Sequence, residues 1–462
     1  MAAFPRIPGR KWWALALACW IFESAHANDL LRLYELAMTR DPTLNAAAAQ
    51  RDTAIEARPQ ALAPLLPQLV ASGSGARDRV TGASTTAATG DTAVGNSPGC
   101  VVGDGQERCQ RNTRASGLML SQTLWSFEAF SQLKEANRLA ASAEATFLAA
   151  QQALLERVAE AYFAILAAKD QLLTTRSERA AFGELLNQAK AREQTGVGPR
   201  SDVEQAQSFY DTTEQRVIDA ENALDDANLT MAAIVGTRIT EVAPLRDDIP
   251  LSVPDPPSVD AWVTAALRDN PTARAAELTM EASDYDISVQ RGKGLPTLAL
   301  QATDNRAWRD PAIGGNQSLD TIGLYINWPL FQGGAVVSAV RRSRALYRQA
   351  QAENESTLRD IEKSARAAYR GVVTGIQRIS AARRAVASGH AAVEASEHNV
   401  EFGTGTEFDL LNAQNNYSAA LRAYSQTRYD YLTSLLTLEQ QAGRLSENDL
   451  VTIDAMLTGD EK

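Results

Sequence analysis

Two short stretches of the chain combine hydroxyl and carboxylate side chains at spacings that could do chemistry, and each follows a pair of glycines. Gly196-Val197-Gly198 leads into Ser201-Asp202-Val203-Glu204, and Gly403-Thr404-Gly405 leads into Thr406 and Asp409. A Ser or Thr followed three residues later by an acidic side chain is the pattern of a capping box, in which the two groups satisfy free N–H groups at a helix start. Ser201 with Glu204, and Thr406 with Asp409, are therefore expected to open helices. The same carboxylates, brought near one axis by several copies of the chain, would repel one another and attract cations. The chemistry open to them is electrostatic, because no nucleophile, base and orienting group stand together anywhere in the sequence.

Other chemistries find no footing. No Gly-rich loop with Lys and Ser/Thr is present to cradle a phosphate. The histidines are His26, His390 and His398. The last two lie about two helical turns apart, too far to share a metal, and read as solvated helix positions. No catalytic residue, cofactor or metal is implied, and the chain reads as a non-enzyme. A formal net charge of -11 argues against a nucleic-acid partner. Cys100 and Cys109 sit close together in a polar loop, where a disulfide is possible in an oxidising compartment; two unpaired thiols are the alternative.

The first residues resemble a secretory signal. Arg6, Arg10 and Lys11 precede an apolar run from Trp12 to Phe22, and Ala25-His26-Ala27 offers a cleavage site before Asn28. Cys19 as a lipoprotein cysteine is the competing reading. No later apolar stretch reaches the length of a transmembrane helix.

The elements that position the acidic pairs are duplicated. Arg40-Asp41-Pro42-Thr43 matches Asp269-Asn270-Pro271-Thr272, and Leu66-Pro67-Gln68-Leu69 matches Leu295-Pro296-Thr297-Leu298. Further on, Ala161-Tyr162 matches Ala368-Tyr369, Gly196 matches Gly403, Asp202 matches Asp409, Tyr210 matches Tyr417 and Gly236 matches Gly443. The later pairs keep one offset of 207 residues and the earlier ones an offset of 229, so the first copy carries an insertion between Arg79 and Arg114. Pro244, Pro250, Pro254, Pro256 and Pro257 mark an extended linker between the copies.

Each copy is predicted to hold a β-hairpin and long helices. From Phe127 to Thr195, Leu133, Ala140, Phe147, Leu154, Ala161 and Ala168 recur every seven residues, with Ala136, Ala143, Ala150 and Ala164 as a second seam and Arg157 and Gln171 as exceptions. Such a run is about 100 Å long at about 1.5 Å per residue. A matching helix is expected from Gly334 to Phe402, with Arg341, Arg342, Arg344, Arg383 and Arg384 on a wet face. Tyr417, Tyr424, Tyr431 and Leu438 form another seven-residue stripe, read as helix packing. Strands of about ten residues are expected at Leu66–Ala76, Gly117–Trp125, Leu298–Asn305 and Thr321–Phe331. Four strands cannot close a barrel, so strands of several chains must share one. The predicted organisation is a signal at 1–27, a first repeat at 28–243 with its hairpin near 66–125, a linker at 244–258, a second repeat at 259–445 with its hairpin near 296–331, and a tail at 446–462.

These residues resemble the TolC family of outer-membrane channels. Asn28-Asp29-Leu30 with Tyr34-Glu35-Leu36-Ala37, Leu65-Leu66-Pro67-Gln68-Leu69, Leu330-Phe331-Gln332-Gly333-Gly334 and Gly443-Arg444-Leu445-Ser446-Glu447-Asn448-Asp449-Leu450 all look like that family's motifs. The resemblance implies a mainly α fold with a small β part. Long antiparallel coiled-coil helices would form an α-barrel, and three chains of four strands would share a twelve-stranded β-barrel. It implies a homotrimer in the outer membrane, embedded in its lipid and extending into the periplasm. There it would work with an inner-membrane transporter, ABC-type or proton-driven, and a periplasmic adaptor protein. The cargo would be an exported protein, as in type I secretion of a toxin-like substrate, or a small molecule, as in drug efflux. A coiled-coil scaffold without a pore is the lower alternative. Asp409 matches an acidic position facing the pore at the family's periplasmic gate, and Ser201 and Asp202 match residues of the opposing turn that hold it closed. Here the second acidic position is Asn412, a gate arginine is replaced by Gly405 and a gate tyrosine by Val400, so the closing network is expected to be built differently.

Overall fold

The computed structural model describes residues 30–83, 100–103, 106–239, 241–309 and 316–457. The segment expected to be a signal, with Cys19, lies outside them. Helix α1 (Leu30–Arg40) is followed by α2 (Pro42–Leu62), with Asp41 between them accepting the Leu44 N–H at 2.6 Å as N-cap. Proline at the first helical position suits this start, since an N–H there would have no helical partner. Strands β1 (Gln68–Ala83), β2 (Cys100–Gly103) and β3 (Gln106–Trp125) come next. They lead into α3 (Phe127–Gln194), which turns back as α4 (Arg200–Val235). The second copy repeats the order: α5 (Val259–Asp269), α6 (Pro271–Gly292), β4 (Thr297–Arg309), β5 (Gln317–Asn327), α7 (Ala335–Glu401) and α8 (Glu407–Gln441). The expected tail contains a short helix, α9 (Glu447–Asp454), opened by a reciprocal capping box between Ser446 and Asp449.

The repeat becomes physical at two joints. Gly236 caps the end of α4 and lies against Arg40, next to the start of α2. Gly443, just past α8, lies against Asp269 and Asn270 at the start of α6, where a Cβ would come within 2.3 Å of the Asp269 carbonyl oxygen. Asn270 caps α6 through Thr272 N–H at 2.8 Å and donates to the Gln441 carbonyl at 2.9 Å. Two motif pairs read separately in the sequence are thus the two sides of one joint, made twice. Arg157, an exception in the alanine seam, serves the first joint by reaching Asp41 at 3.2 Å.

Helix α3 packs on α2 and α6 toward the sheet and on α4 and α8 away from it, while α7 packs on α6 and then α8. The helical layer therefore has α7 along one lateral edge, and α2 and then α4 along the other. The first seam holds along α3: Ala140, Leu154, Ala161 and Ala168 are buried, and the same heptad position continues through Thr175, Phe182 and Ala189. The second seam holds only in its first half: Ala136 is buried and Ala143 and Ala150 are half-buried, but Ala164 is exposed, and Val158, Ile165, Leu172 and Leu186 are buried one residue later. A straight helix of 3.6 residues per turn drifts by about 20° per heptad, and this drift accompanies the change of partners. The largest core lies midway, where α1, α9 and the linker pack on the long helices around Leu33, Tyr162, Met231, Trp262, Leu432 and Leu450. Tyr162 donates to the Ala243 carbonyl at 2.9 Å, which ties the linker down.

The four longer strands form one antiparallel sheet in the order β1-β3-β4-β5, and among the described residues one edge of β1 and one of β5 are unpaired. The strands are longer than expected in the first hairpin, because small and polar residues there give no apolar alternation to read. The segment expected as a cysteine-bearing loop is partly strand: β2 pairs with β3 beyond the end of β4, and the register sets Cys100 opposite Cys109. β5 stops at Asn327 rather than Phe331, since Pro329 has no N–H for a ladder. Along the sheet Leu69 pairs with Leu120, Leu120 with Ala302, Ala302 with Ile322, and Leu300 with Leu324, so one face is an apolar band. Ile322 and Ile326 on it are each 75% exposed. The alternate positions include Gln68, Ser121, Gln301, Thr303 and Thr321, with Val70 and Met119 among them, so the other face is the more polar of the two. Among the described residues no helix is long and apolar enough to cross a membrane.

Below the joints, Glu178 of α3 is fully buried and holds Arg216 of α4 at 3.0 Å and Arg422 of α8 at 2.7 Å. Removing one member of a buried ion group leaves the others uncompensated, at about 3–5 kcal/mol. Glu178→Ala is expected to lower the stability of the lower helical layer by about 3 kcal/mol, read as an earlier thermal loss of helical circular dichroism.

Candidate functional site at the paired helical turns

The two turns that reverse the long helices have one backbone design. After α3, Gly196 adopts φ 74°, and the N–H groups of Val197 and Gly198 both donate to the Arg192 carbonyl, at 3.0 and 3.1 Å. After α7, Gly403 adopts φ 70°, and the N–H groups of Thr404 and Gly405 both donate to the Asn399 carbonyl, at 2.8 and 3.0 Å. Arg192 and Asn399 stand 207 residues apart, the repeat offset. Only a residue tolerant of positive φ ends a helix this way without strain.

The helix starts that follow differ. Thr406 and Asp409 form the expected capping box: the Asp409 N–H donates to Thr406 Oγ1 at 3.1 Å, and the Thr406 N–H donates to Asp409 Oδ2 at 3.3 Å. Ser201 and Glu204 do not. Pro199 is the N-cap of α4, held extended at φ -77° and ψ 151°, so the helix begins two residues before the serine could cap it. Ser201 instead donates to Asp202 at 3.3 Å, and Glu204 pairs with Arg200 at 3.3 Å, one turn back on the surface. Proline's fixed φ outweighs the hydroxyl signal. Asp409 is exposed, and Asn412, three residues on, donates back to the Phe408 carbonyl at 2.9 Å.

Between the two turns lies a cleft of about 710 Å³ lined by Arg192, Val197, Asp202, Val400, Gly405 and Glu407, among others. It brings together Asp202, Gly405 and Thr406 from the sequence reading, while Ser201, Glu204, Asp409 and Asn412 lie outside it. Gly405 is required by close approach, since a Cβ there would sit 2.8 Å from Asn399 Cβ. An arginine could not be restored at this position without moving the turn.

An ion pair in the cleft joins two residues the sequence reading did not single out. Arg192, near the end of α3, reaches Glu407, the first residue of α8, at 2.6 Å. Glu407 is 8% exposed. The contact is short in distance but poorly directed, leaving Glu407 Oε1 without an aligned donor. Burial holds the Glu407 carboxyl above the ordinary carboxylate range; Arg192 pulls it back and Asp202 pushes it further up. No spacing rule pairs residues across two separate hairpins, so the only available signal was the place of Arg192 at the repeat position of Asn399. His390 and His398 are exposed, lying 3.6 Å from Glu394 and 3.7 Å from Glu401.

Duplicated helix-and-hairpin units, an open sheet with one apolar face and a helical layer about 100 Å long define the outer-membrane channel-tunnel class. The sequence profile of the outer membrane efflux protein family matches residues 33–237 and 262–444, and the chain belongs to that family. It is 29% identical to the outer membrane protein TolC of Vibrio cholerae over 93% of this chain and 94% of that protein. It is 28% identical to the alkaline protease secretion protein AprF of Pseudomonas aeruginosa, over 96% and 92%. The crystal structure of the outer membrane protein VceC from Vibrio cholerae shares the fold with a TM-score of 0.75 at 19% identity, over 90% of this chain and 96% of that one. Channels of this family are trimeric and work with inner-membrane pumps and adaptors, and the chain is an outer-membrane efflux or secretion channel-tunnel spanning the periplasm.

A carboxyl whose pKa is raised on folding contributes stability that is full below the ordinary carboxylate value and is lost as pH rises through the raised value. Closure of the two turns is therefore expected to be tighter at about pH 5 than at about pH 7.5. Amide hydrogen exchange over 190–200 and 399–412, corrected for intrinsic rates, measures it. Glu407→Gln should remove the pH difference. Arg192→Ala should speed exchange by about tenfold, since an unpaired buried polar group costs about 1–3 kcal/mol. The double variant should return to within about threefold of the parent if the carboxylate is the source of that cost.

Proposed function

We propose that this chain is the passive exit duct of a tripartite exporter, with protein secretion of the type I kind as its task and the paired turns as its gate. The observation that carries the closed duct is the agreement of edges. β1 and α2 lie on one lateral side of the chain, β5 and α7 on the other, in both sheet and helical layer. A rotation that pairs β5 of one copy with β1 of the next also brings α7 beside the next copy's α2 and α4. Three copies then satisfy both layers at once.

Protein cargo is favoured by the secretion role in AprF's name together with near full-length similarity. The efflux description of the family favours small-molecule cargo as the second reading. An ABC-type pump fits the first and a proton-driven pump the second, each with a periplasmic adaptor. At the gate, Asp409 would supply the acidic ring, with Asn412 uncharged one turn on, and Asp202 and Gly405 would line the facing turns. The directly opposed Cys100 and Cys109 would form a disulfide outside the cytoplasm.

Deletion of the gene, followed by comparison of secreted proteins and drug sensitivity, separates the two cargoes: a lost secreted protein with unchanged drug tolerance is expected. In planar bilayers, Asp409→Ala is expected to raise conductance or lower cation selectivity, and recordings showing neither would remove the gate assignment. Non-reducing peptide mapping of the outer-membrane protein should recover residues 100 and 109 in one linked species.

A further inference from the structure

Following the sheet away from the helices, the apolar face changes character within two residue pairs. Successive side chains of a strand alternate between faces. The positions that share a face with Leu69, Leu120 and Ala302 are therefore Arg77 and Arg79 on β1, Arg114 on β3, and Arg306 and Trp308 on β4. The register sets them in successive rows along one face: Arg306 is level with Ser116 and Gly73, Arg114 with Trp308 and Gly75, Arg77 with Asn112 and Arg79 with Gln110, so the arginines run from the Arg306 row to about 20 Å beyond it. All four arginines are exposed, and Trp308 is 46% exposed. Two aspartates share this face nearer the apolar band. Asp304 and Asp320 are partners across β4 and β5, and Asp304 holds Arg306 at 3.3 Å. Among the described residues of this face four arginines stand with these two aspartates, in a chain whose formal net charge is -11.

We propose that this belt binds the phosphate groups of outer-leaflet lipid headgroups, an inference that rests on the channel reading above. Its place selects the ligand. Arg306 stands four residues beyond Ala302, about 13 Å along an extended strand, where the hydrocarbon gives way to headgroups. A group bound there must belong to a molecule whose chains lie against the apolar band. Its chemistry selects phosphate. A guanidinium offers parallel N–H donors matched to phosphate oxygens, and such charge-assisted pairs are stronger than neutral hydrogen bonds. Trp308 adds the amphipathic ring that favours the membrane interface. Neither a zwitterionic surface nor a soluble peptide would call for four arginines continuous with a lipid-facing band. Three copies would repeat the patch around the barrel.

The test uses the full trimer purified from outer membranes and the variant Arg77→Ser/Arg79→Ser/Arg114→Ser/Arg306→Ser. The probes are lipid A carrying its phosphates, dephosphorylated lipid A, and inorganic phosphate. Native mass spectrometry after detergent exchange is expected to show phosphorylated lipid A retained by the parent and at least about tenfold less by the variant, the loss of about 1.4 kcal/mol or more of binding. Phosphorylated lipid A should raise the thermal midpoint of the parent alone, and neither other probe should shift either protein. Equal retention by parent and variant overturns the proposal. So does equal stabilisation by dephosphorylated lipid A, and so does full competition by inorganic phosphate, which would make this a free-anion site. If the fourfold variant does not assemble, the pairs Arg77→Ser/Arg79→Ser and Arg114→Ser/Arg306→Ser are measured instead, each expected to retain less than the parent. Trimer bands on unheated gels test the channel reading separately, so its failure is distinguishable from failure of the belt.

Discussion

A strand edge carries a row of N–H and C=O groups, and in hydrocarbon none of them can turn to water. The sheet of this chain has two such edges, on β1 and β5, and an apolar face that commits it to lipid. Everything else follows from the need to close those edges against further copies. The helical layer must end in edges on the same two sides, or rotation of one copy onto the next would satisfy the strands and break the helices. Duplication supplies that match, because each hairpin arrives with its own long helix and its own pair of shorter ones.

The helices meet the same demand by different means. Small residues in the seam of α3 let neighbours approach closely, and two buried carboxylates tie separate elements together. Glu178 links α3, α4 and α8, and Arg192 with Glu407 links the two reversing turns. The first is a group of three, and the second is a single pair in a cleft with a second carboxylate, Asp202, nearby, where burial and Asp202 hold the Glu407 carboxyl above the ordinary range.

Much of this was legible in the sequence, for reasons that can be named. The long helices were bounded to within a residue because nothing inside them breaks a helix and a glycine follows each at the turn. The Thr406–Asp409 cap was readable because hydroxyl and carboxylate have no rival there. Ser201 and Glu204 misled because Pro199, two residues earlier, fixes the helix start by covalent geometry. The second seam misled at Ala164 because a fixed heptad cannot follow a helix that changes partners along its length. The strands of the first hairpin ran past their expected limits because glycine, serine and arginine pair along a ladder without leaving an apolar rhythm. Arg192 and Glu407 escaped notice because the contact between them spans 215 residues and two hairpins.

The joints at Gly236 and Gly443 have a mechanical meaning. Both fall at the middle of the rod, where α4 abuts the start of α2 and α8 abuts the start of α6, while α3 and α7 pass without interruption. The arrangement is that of a mast with spliced and unspliced spars lashed together. Compression along the axis is borne by the unbroken pair, and bending collects at the splices.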